Sequence, residues 1–325
     1  MPLDEYMDHL PMPLEVGDLS HLLPPSWKSQ ITAWLAEDTP SFDYGGFVVG
    51  DTPNTATLWG KSAGILAGIP FFDEVFRQVG CTVEWHAREG SHIQGARGEK
   101  FHSSSASHTK TKLATVSGPT RGILLGERVA LNILARCSGI ASQSRGLLVN
   151  LRSAGFKGVL AGTRKTTPGF RLVEKYGMMV GGADTHRMDL SSMIMLKDNH
   201  VWARDNDIAE AVLAARAVGG FSVKIEVEVG SEDAAHEAIA AGADVVMLDN
   251  FAPAEVKVVA RNLKEKWAGR DKKFLVEVSG GLRVDNAEMF VSPEIDILST
   301  SSIHQGCPHV DFSLKINVKQ PGDST

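Results

Sequence analysis

Cysteine is scarce in this chain: three residues in 325, Cys81, Cys137 and Cys307, odd in number, far apart and in no CxxC pair. That argues against a disulfide framework or a thiolate zinc centre and favours reduced thiols in a reducing compartment. No apolar run approaches the roughly 20 residues a membrane span needs. The stretch Met1 to Leu22 is acidic and proline-punctuated rather than basic and then apolar, so no secretory signal is expected. A cytoplasmic location is the expectation. Excess positive charge is missing as well, because 33 Lys and Arg meet 39 Asp and Glu for a net −6. A general nucleic-acid surface is therefore disfavoured. Neither GxxxxGK[ST] nor a GxGxxG after a strand occurs, so nucleoside-triphosphate and dinucleotide sites lose support.

What is present is the composition of an average folded enzyme, 43% apolar and 22% charged, at a length that fits one large or two modest domains. Charge is unevenly spread. From Arg128 to His200 there are seven Arg and four Lys against Glu174, Asp184, Asp189 and Asp198. A basic segment in an acidic protein suggests a local anionic ligand, although many of these charges will be solvated helix faces.

Up to about Gly139 the pattern is mixed. Helical spacing marks Trp27 to Ala36 and Pro70 to Val79, and β-like runs mark Phe47 to Val49 and Thr55 to Trp59. Glu89 to Ser117 turns to Gly, Ser, His and Lys and reads as a flexible surface loop, with Ser91 to Lys112 as an insertion. Its histidines, with His86, have no regular ligand spacing. A long helix is expected from about Leu125 to Ala154, broken or bent near Ser138-Gly139.

Beyond it, apolar β-rich runs recur at Gly158 to Ala161, Met193 to Leu196, Val223 to Val229, Asp244 to Leu248, Phe274 to Val278 and Ile295 to Leu298. Helical patterns lie between them at Ile208 to Val218, Glu232 to Ala241 and Ala254 to Trp267. Strands alternating with helices imply a parallel sheet, either open and doubly wound or closed as a barrel. The barrel is preferred, because polar residues end nearly every strand: Lys197-Asp-Asn199, Glu228, Asp249-Asn250, Ser279-Gly-Gly281 and Ser299-Thr300. A β/α barrel builds its site at that end.

The run Val223 to Val229 puts Lys224, Glu226 and Glu228 on one face and four apolar residues on the other. A parallel strand covered on both faces should be almost wholly apolar. Either the charged face lines the barrel interior, paired or bound to a ligand, or the strand is an edge with a wet face. In Gly162-Thr-Arg-Lys-Thr-Thr-Pro-Gly169, Thr167 can cap the following helix and Pro168 suits its first turn, displaying Arg164 and Lys165 beside helix-start amides that attract anions. His186-Arg187 and Lys197-Asp-Asn-His200 add cations, and the two glycines after Ser279 let backbone amides approach a phosphate. Lys197 could equally be a Schiff-base lysine.

Taken together, these residues resemble the quinolinate phosphoribosyltransferases. The resemblance is carried by Ser62-Ala-Gly-Ile-Leu-Ala-Gly68, Leu125-Gly-Glu-Arg-Val-Ala-Leu-Asn132, Arg136-Cys-Ser-Gly-Ile-Ala-Ser142, Gly162 to Arg171, Lys197 to His200, Leu248-Asp-Asn-Phe251 and Ser279 to Gly281. It implies an N-terminal α/β open-faced sandwich, residues 1–137 with 308–325 returning to it, and an incomplete β/α barrel over 138–307. It implies transfer of a phosphoribosyl group from phosphoribosyl pyrophosphate to quinolinate, with loss of carbon dioxide, giving nicotinate mononucleotide for NAD synthesis. Magnesium is the implied cofactor, with Glu228 and Asp249 near the metal. Arg164, His186, Arg187 and Lys197 would hold the pyridine dicarboxylate. Lys165, His200, Glu228, Asp249 and Ser279-Gly280-Gly281 would hold the phosphoribosyl pyrophosphate, Thr166 and Ser301 would also bind substrate, and Lys165, Lys197, Glu228 and Asp249 would serve the chemistry. Arg128 would reach a neighbouring subunit's site, making a homodimer the least assembly, and homohexamers occur in the family. Ser301 stands where many relatives have glycine.

Three rival functions are a Schiff-base aldolase using Lys197 or Lys224, a nicotinate phosphoribosyltransferase without decarboxylation, and a non-catalytic anion-binding protein. Against the last stand Glu228 and Asp249, which would repel anions unless metal intervenes.

Overall fold

The computed structural model describes residues 17–94, 110–270 and 272–317. The chain forms two compact units: one holds Ser144–Thr167 and Ala183–Gly306, the other the described parts of Pro11–Gln143, Pro168–Gly182 and Cys307–Thr325.

The second unit is built on an antiparallel sheet of β1 (Pro53–Gly60), β3 (Thr82–Trp85), β5 (Thr111–Pro119) and β12 (Phe312–Ile316), in the order β12-β1-β5-β3. A two-stranded pair, β2 (Gly64–Ile65) with β4 (His92–Ile93), stands beside it in sequence. Helices α1 (Trp27–Asp38), α2 (Tyr44–Val49), α3 (Ile69–Gln78) and α5 (Arg171–Gly181) belong to this unit, together with most of α4 (Thr120–Ser153). In α3 the residues Phe71, Phe72, Val75 and Phe76 recur on one face and are buried, each contributing about 1.5–3 kcal/mol of transfer free energy. Phe71 meets Tyr176 of α5 and Trp27 of α1 edge to face, at centroid distances of 5.3 and 5.5 Å.

Four expectations for this region are corrected. Phe47 to Val49 is the end of helix α2, begun by Asp43, whose carboxylate accepts from Gly46 N. The stretch read as a loop from Glu89 to Ser117 carries strands at both ends, because Ile93, Leu113, Ala114 and Val116 bury their side chains. Its middle, with His102 and His108, lies outside the described residues. Helix α4 is continuous through Ser138-Gly139. Its small residues allow close approach instead of a break: Ser138 Oγ donates to Ala67 O and accepts from Ala67 N, and a β-carbon on Gly139 would lie 2.1 Å from Pro308 O. Lastly, α5 begins at Arg171 with Phe170 as its N-cap, so Thr167 and Pro168 do not start it.

The first unit contains six parallel strands: β6 (Val159–Gly162), β7 (Ile194–Leu196), β8 (Ile225–Val229), β9 (Val245–Asp249), β10 (Leu275–Ser279) and β11 (Ile297–Thr300). Their order is β6-β11-β10-β9-β8-β7. Five run in chain order and the last pairs back onto the first, as in a β/α barrel that opens between β6 and β7. One bridge, Ala161 to Asp184, continues past β6 at that opening. The crossovers carry α6 (Asp198–Trp202), α7 (Ile208–Gly219), α8 (Glu232–Ala241) and α9 (Pro253–Trp267). Asp207 and Ser231 cap α7 and α8 by accepting from Glu210 N and Ala234 N, and Pro253 opens α9. At the N-terminal end of the strands, Asp244 accepts from Ile225 N and pairs with Arg216, while Asp296 accepts from Val276 N and pairs with Lys264. Those carboxylates tie neighbouring strands together at the end remote from the cavity described next.

Candidate active site

The C-terminal ends of the strands surround a cavity of about 350 Å³. Five of the strands deliver a residue there: Lys197 directly after β7, Glu228 from β8, Asp249 from β9, Ser279 from β10 with Gly280 and Gly281 after it, and Ser299 from β11. The loop after β6 brings Thr163, Arg164 and Lys165, and the loop after Asp184 brings His186 and Arg187. The period-two pattern explains the delivery, since in a barrel alternate residues face inward. Strand β8 lies between β7 and β9 and is not an edge. Glu226 is fully buried and Glu228 lines the cavity, whereas Lys224 precedes the strand and is exposed. The expectation that all three charges line the interior is thus corrected for Lys224, because the strand has not yet begun there.

The carboxylates Glu228 and Asp249 end neighbouring strands, and the cations come from Lys197 and from the loops after β6 and Asp184. The Lys197 ammonium pairs closely with the Glu228 carboxylate. Arg187 is buried, its guanidinium 3.3 Å from the Met195 sulfur. Burial, then the Arg164 charge, hold the Arg187 guanidinium below its ordinary range, against the pull of Glu226, Glu228 and Glu277. Arg164 Nε is buried with no hydrogen-bond partner among the described residues, an unsatisfied donor beside the cavity. Burial and then the Glu228 charge push the Asp249 carboxyl up.

A second cavity of about 300 Å³ shares Thr163, Lys165, Ser299 and Ser279 to Gly281 with the first and adds Ser301, Ser302 and Gln305. Gly280 and Gly281 have φ of +87° and +66°, a left-handed pair that other residues adopt at a cost. Such successive turns present amide hydrogens to an anion. Lys165 O accepts from Gln305 Nε2 at 2.9 Å, with His304 Nε2 3.1 Å away, which steadies the loop after β6.

Three expected site residues stand elsewhere. Arg128 is exposed on α4 and lines neither cavity. Thr166 lines neither. His200 is exposed, its Nδ1 accepting from Lys197 N at 3.1 Å, so it braces the turn after β7 rather than facing the cavity. Sequence reasoning missed others. Met195 and Met247 give the cavity an apolar lining. Glu277 of β10, fully buried, also lines the cavity, and its carboxylate lies 2.9 Å from His186 Nε2 and accepts from Ser299 Oγ at 2.5 Å. The only trace of Glu277 in the sequence is a single charge inside the apolar run Phe274 to Val278. Glu226 is 3.6 Å from the same imidazole. Its two carboxyl oxygens are without hydrogen-bond partners among the described residues, and burial and the Glu277 charge push it up to about 9.

The chain matches the family model described as quinolinate phosphoribosyl transferase, C-terminal domain, over residues 140–315, and the corresponding N-terminal domain over residues 39–138. It is 46% identical to nicotinate-nucleotide pyrophosphorylase [carboxylating] of Homo sapiens over 308 residues, covering 94% of this chain and 97% of that protein. Against the protein of the same name from Dictyostelium discoideum, identity is 47%, covering 92% and 99%. Among solved structures, the nicotinate-nucleotide pyrophosphorylase of Francisella tularensis superposes with a TM-score of 0.78 at 29% identity, over 91% of this chain and 98% of that one. With both family models matched, over residues 39–138 and 140–315, and a charged cavity at the mouth of the parallel strands, the chain belongs to the quinolinate phosphoribosyl transferase family.

Proposed function

We propose that this protein transfers the phosphoribosyl group of phosphoribosyl pyrophosphate to quinolinate, releasing pyrophosphate and carbon dioxide and forming nicotinate mononucleotide. The observation that carries the reading is the opening of Arg164, Lys165, Arg187 and Lys197 on one cavity that also holds Glu228 and Asp249. Two anionic substrates repel each other, and that cluster supplies the charge that lets them share a space. Arg164 and Arg187 suit the two carboxylates of quinolinate, because a guanidinium forms paired hydrogen bonds to a carboxylate. Met195 and Met247 offer an apolar bed for the pyridine ring. The glycine turn after β10 and Lys165 suit a phosphate in the adjoining cavity.

Glu228 and Asp249 fit magnesium. They are hard oxygen ligands on neighbouring strands, Asp249 is pushed up partly by the Glu228 charge, and two carboxylates leave room for the water and substrate oxygens magnesium keeps. Bound there, magnesium would neutralise the departing pyrophosphate. The remaining work is positioning and charge. The cationic rim holds the pyridine nitrogen toward C1 of the ribose, and Glu228 and Asp249 face the positive charge that builds there as the bond to pyrophosphate breaks. Once the N–C bond has formed, the pyridinium accepts the electron pair released when the adjacent carboxylate leaves as carbon dioxide. A proton then takes its place on the ring. No covalent enzyme intermediate is required.

Arg128, exposed on α4 and outside both cavities, supports an assembly in which it serves the site of a second copy, with a homodimer as the least unit. The three cysteines are free thiols, which supports a reducing compartment such as the cytoplasm. No helix among the described residues is long and apolar enough to cross a membrane.

The test is an assay with quinolinate, phosphoribosyl pyrophosphate and magnesium, following carbon dioxide and nicotinate mononucleotide. Arg164→Ala is expected to lower turnover by orders of magnitude while the circular dichroism spectrum is unchanged. Undiminished turnover in Arg164→Ala, or product without carbon dioxide release, overturns the reading.

A further inference from the structure

We propose that Glu277 is a positioning residue that acts through His186: clamped by Ser299, its carboxylate holds Nε2 of the imidazole so that Nδ1 is presented to the cavity as the donor to a substrate carboxylate. This rests on the reading of the cavity as the quinolinate site. Glu277 is fully buried in the middle of β10. A carboxylate so placed is costly unless it is paired and hydrogen-bonded. It has two partners: His186 Nε2, 2.9 Å from Oε2 and 3.2 Å from Oε1, and Ser299 Oγ, which donates to Oε1 at 2.5 Å. The three residues come from the loop after Asp184, from β10 and from β11, so the contact exists only once β10, β11 and β6 lie side by side.

An ionised carboxylate only accepts, so Nε2 must carry the hydrogen of this bond. That fixes the role of the other ring nitrogen. His186 lines the cavity, and Nδ1 has no hydrogen-bond partner among the described residues. A lone pair at Nδ1 would repel an anionic ligand, and a hydrogen there would attract one. Binding a carboxylate at His186 therefore needs both nitrogens protonated, and Glu277 is the group that balances the resulting charge. The His186 backbone fits the same purpose. Its φ is +52°, a left-handed conformation that residues other than glycine adopt at a cost. Its N–H is held by Asp184 Oδ1 at 2.5 Å. The bend turns the ring inward toward Glu277 instead of out along the loop.

The same atoms could be read as a metal site, because His186, Glu226 and Glu277 can each offer a ligand atom within 4.8 Å of one another. The hydrogen bond at Nε2 uses the nitrogen a metal would need, and the charges of both carboxylates already act on the Arg187 guanidinium. The hydrogen-bonded imidazole and carboxylate are the better account of the arrangement.

The experiment uses the full chain and the variants Glu277→Gln, Ser299→Ala, His186→Gln and the double variants that combine each of the first two with His186→Gln. Glu277→Gln is expected to raise the quinolinate KM about tenfold or more, the loss of one charge-assisted hydrogen bond, while the KM for phosphoribosyl pyrophosphate changes less than about threefold. In the His186→Gln background the same change should shift the quinolinate KM by less than about twofold, because residues acting through one another are not additive. Effects that add in the double variant, or equal shifts in both KM values, overturn the proposal. Should Glu277→Gln not fold, Ser299→Ala carries the same cycle at a smaller effect of about threefold. A readout independent of turnover is the side-chain ¹⁵N spectrum of the ligand-free wild type, with His186 assigned by loss of its signals in His186→Gln. A hydrogen on Nε2 is expected. A lone pair on Nε2, or a metal that survives dialysis and is lost in Glu277→Gln, overturns the proposal whatever reaction the enzyme catalyses. Absence of any turnover of quinolinate by the wild type would instead count against the reaction.

Discussion

Gly280 lies so close to Asn250 that a β-carbon on it would sit 2.5 Å from Oδ1 and 2.8 Å from the backbone nitrogen. Asn250 N in turn donates to Ser279 O at 3.2 Å, and Asn250 Nδ2 donates to Asp249 Oδ2 at 2.6 Å. The turn after β10 and the end of β9 are therefore one interlocked piece, and anything that pushes Gly280 away moves Asp249 as well.

Gly280→Ala is expected to damage phosphoribosyl pyrophosphate binding far more than quinolinate binding. The new methyl meets a backbone atom that cannot swing aside, at a φ of +87°. Its KM for phosphoribosyl pyrophosphate should rise about tenfold or more, since small displacements of a binding turn cost rate steeply. Steady-state kinetics with each substrate varied in turn checks this.

Arg187→Lys keeps the charge and removes the planar fork. Arg187 is buried beside Met195, so the shorter, more strongly hydrated ammonium leaves space and a lost donor. The expected fall in kcat/KM for quinolinate is about 100-fold, or ~3 kcal/mol. A change below threefold would show that Arg187 does not grip the ligand.

Gly139→Ala tests the close approach of α4 to the segment following the barrel. A β-carbon 2.1 Å from Pro308 O forces the two backbones apart. Urea unfolding should show a loss of about 1–3 kcal/mol, the usual cost of overpacking, even though alanine is the better helix former. Greater stability than wild type would mean the helix relaxes freely there.

Asp73 gives a pH-dependent prediction. Burial pushes its carboxyl up to about 6, partly offset by the hydrogen bond that Trp85 Nε1 donates at 2.7 Å. The folded state then holds the proton at a pH where the unfolded chain has released it, so stability falls as pH rises from about 4 to about 6 and is flat above. Asp73→Asn keeps an acceptor for Trp85 and cannot ionise. Its stability relative to wild type should grow by about 1 kcal/mol across that window, discounted for partial solvent screening. Urea midpoints at pH 4, 5 and 7 that move in parallel for both proteins would contradict the assignment.

Much of the fold was legible in the chain because burial on both faces leaves long apolar runs, and the six barrel strands each stood out as one. Runs fail where a short element borrows its core from elsewhere. Phe47 to Val49 has the composition of a strand, yet Asp43 caps a helix there and leaves Phe47 and Val48 exposed. Ser138-Gly139 has the composition of a break, yet the neighbouring backbone at Ala67 and Pro308 uses the missing side-chain volume. Thr167 and Pro168 look like a helix start, and the chain travels past them to Phe170 before α5 begins.

The sequence by itself determined which residues end each strand, because a period of two and a run of apolar neighbours fix which face a side chain takes. Lys197, Glu228, Asp249 and Ser279 were visible for that reason. Only the tertiary structure decided what meets beneath them. Glu277 lies 91 positions from His186 and 22 from Ser299, and their contact depends on β11 pairing back onto β6 and on a left-handed bend at His186. Local pattern specifies a face, whereas the partner on that face is set by the order in which the strands lie side by side, which no single strand carries.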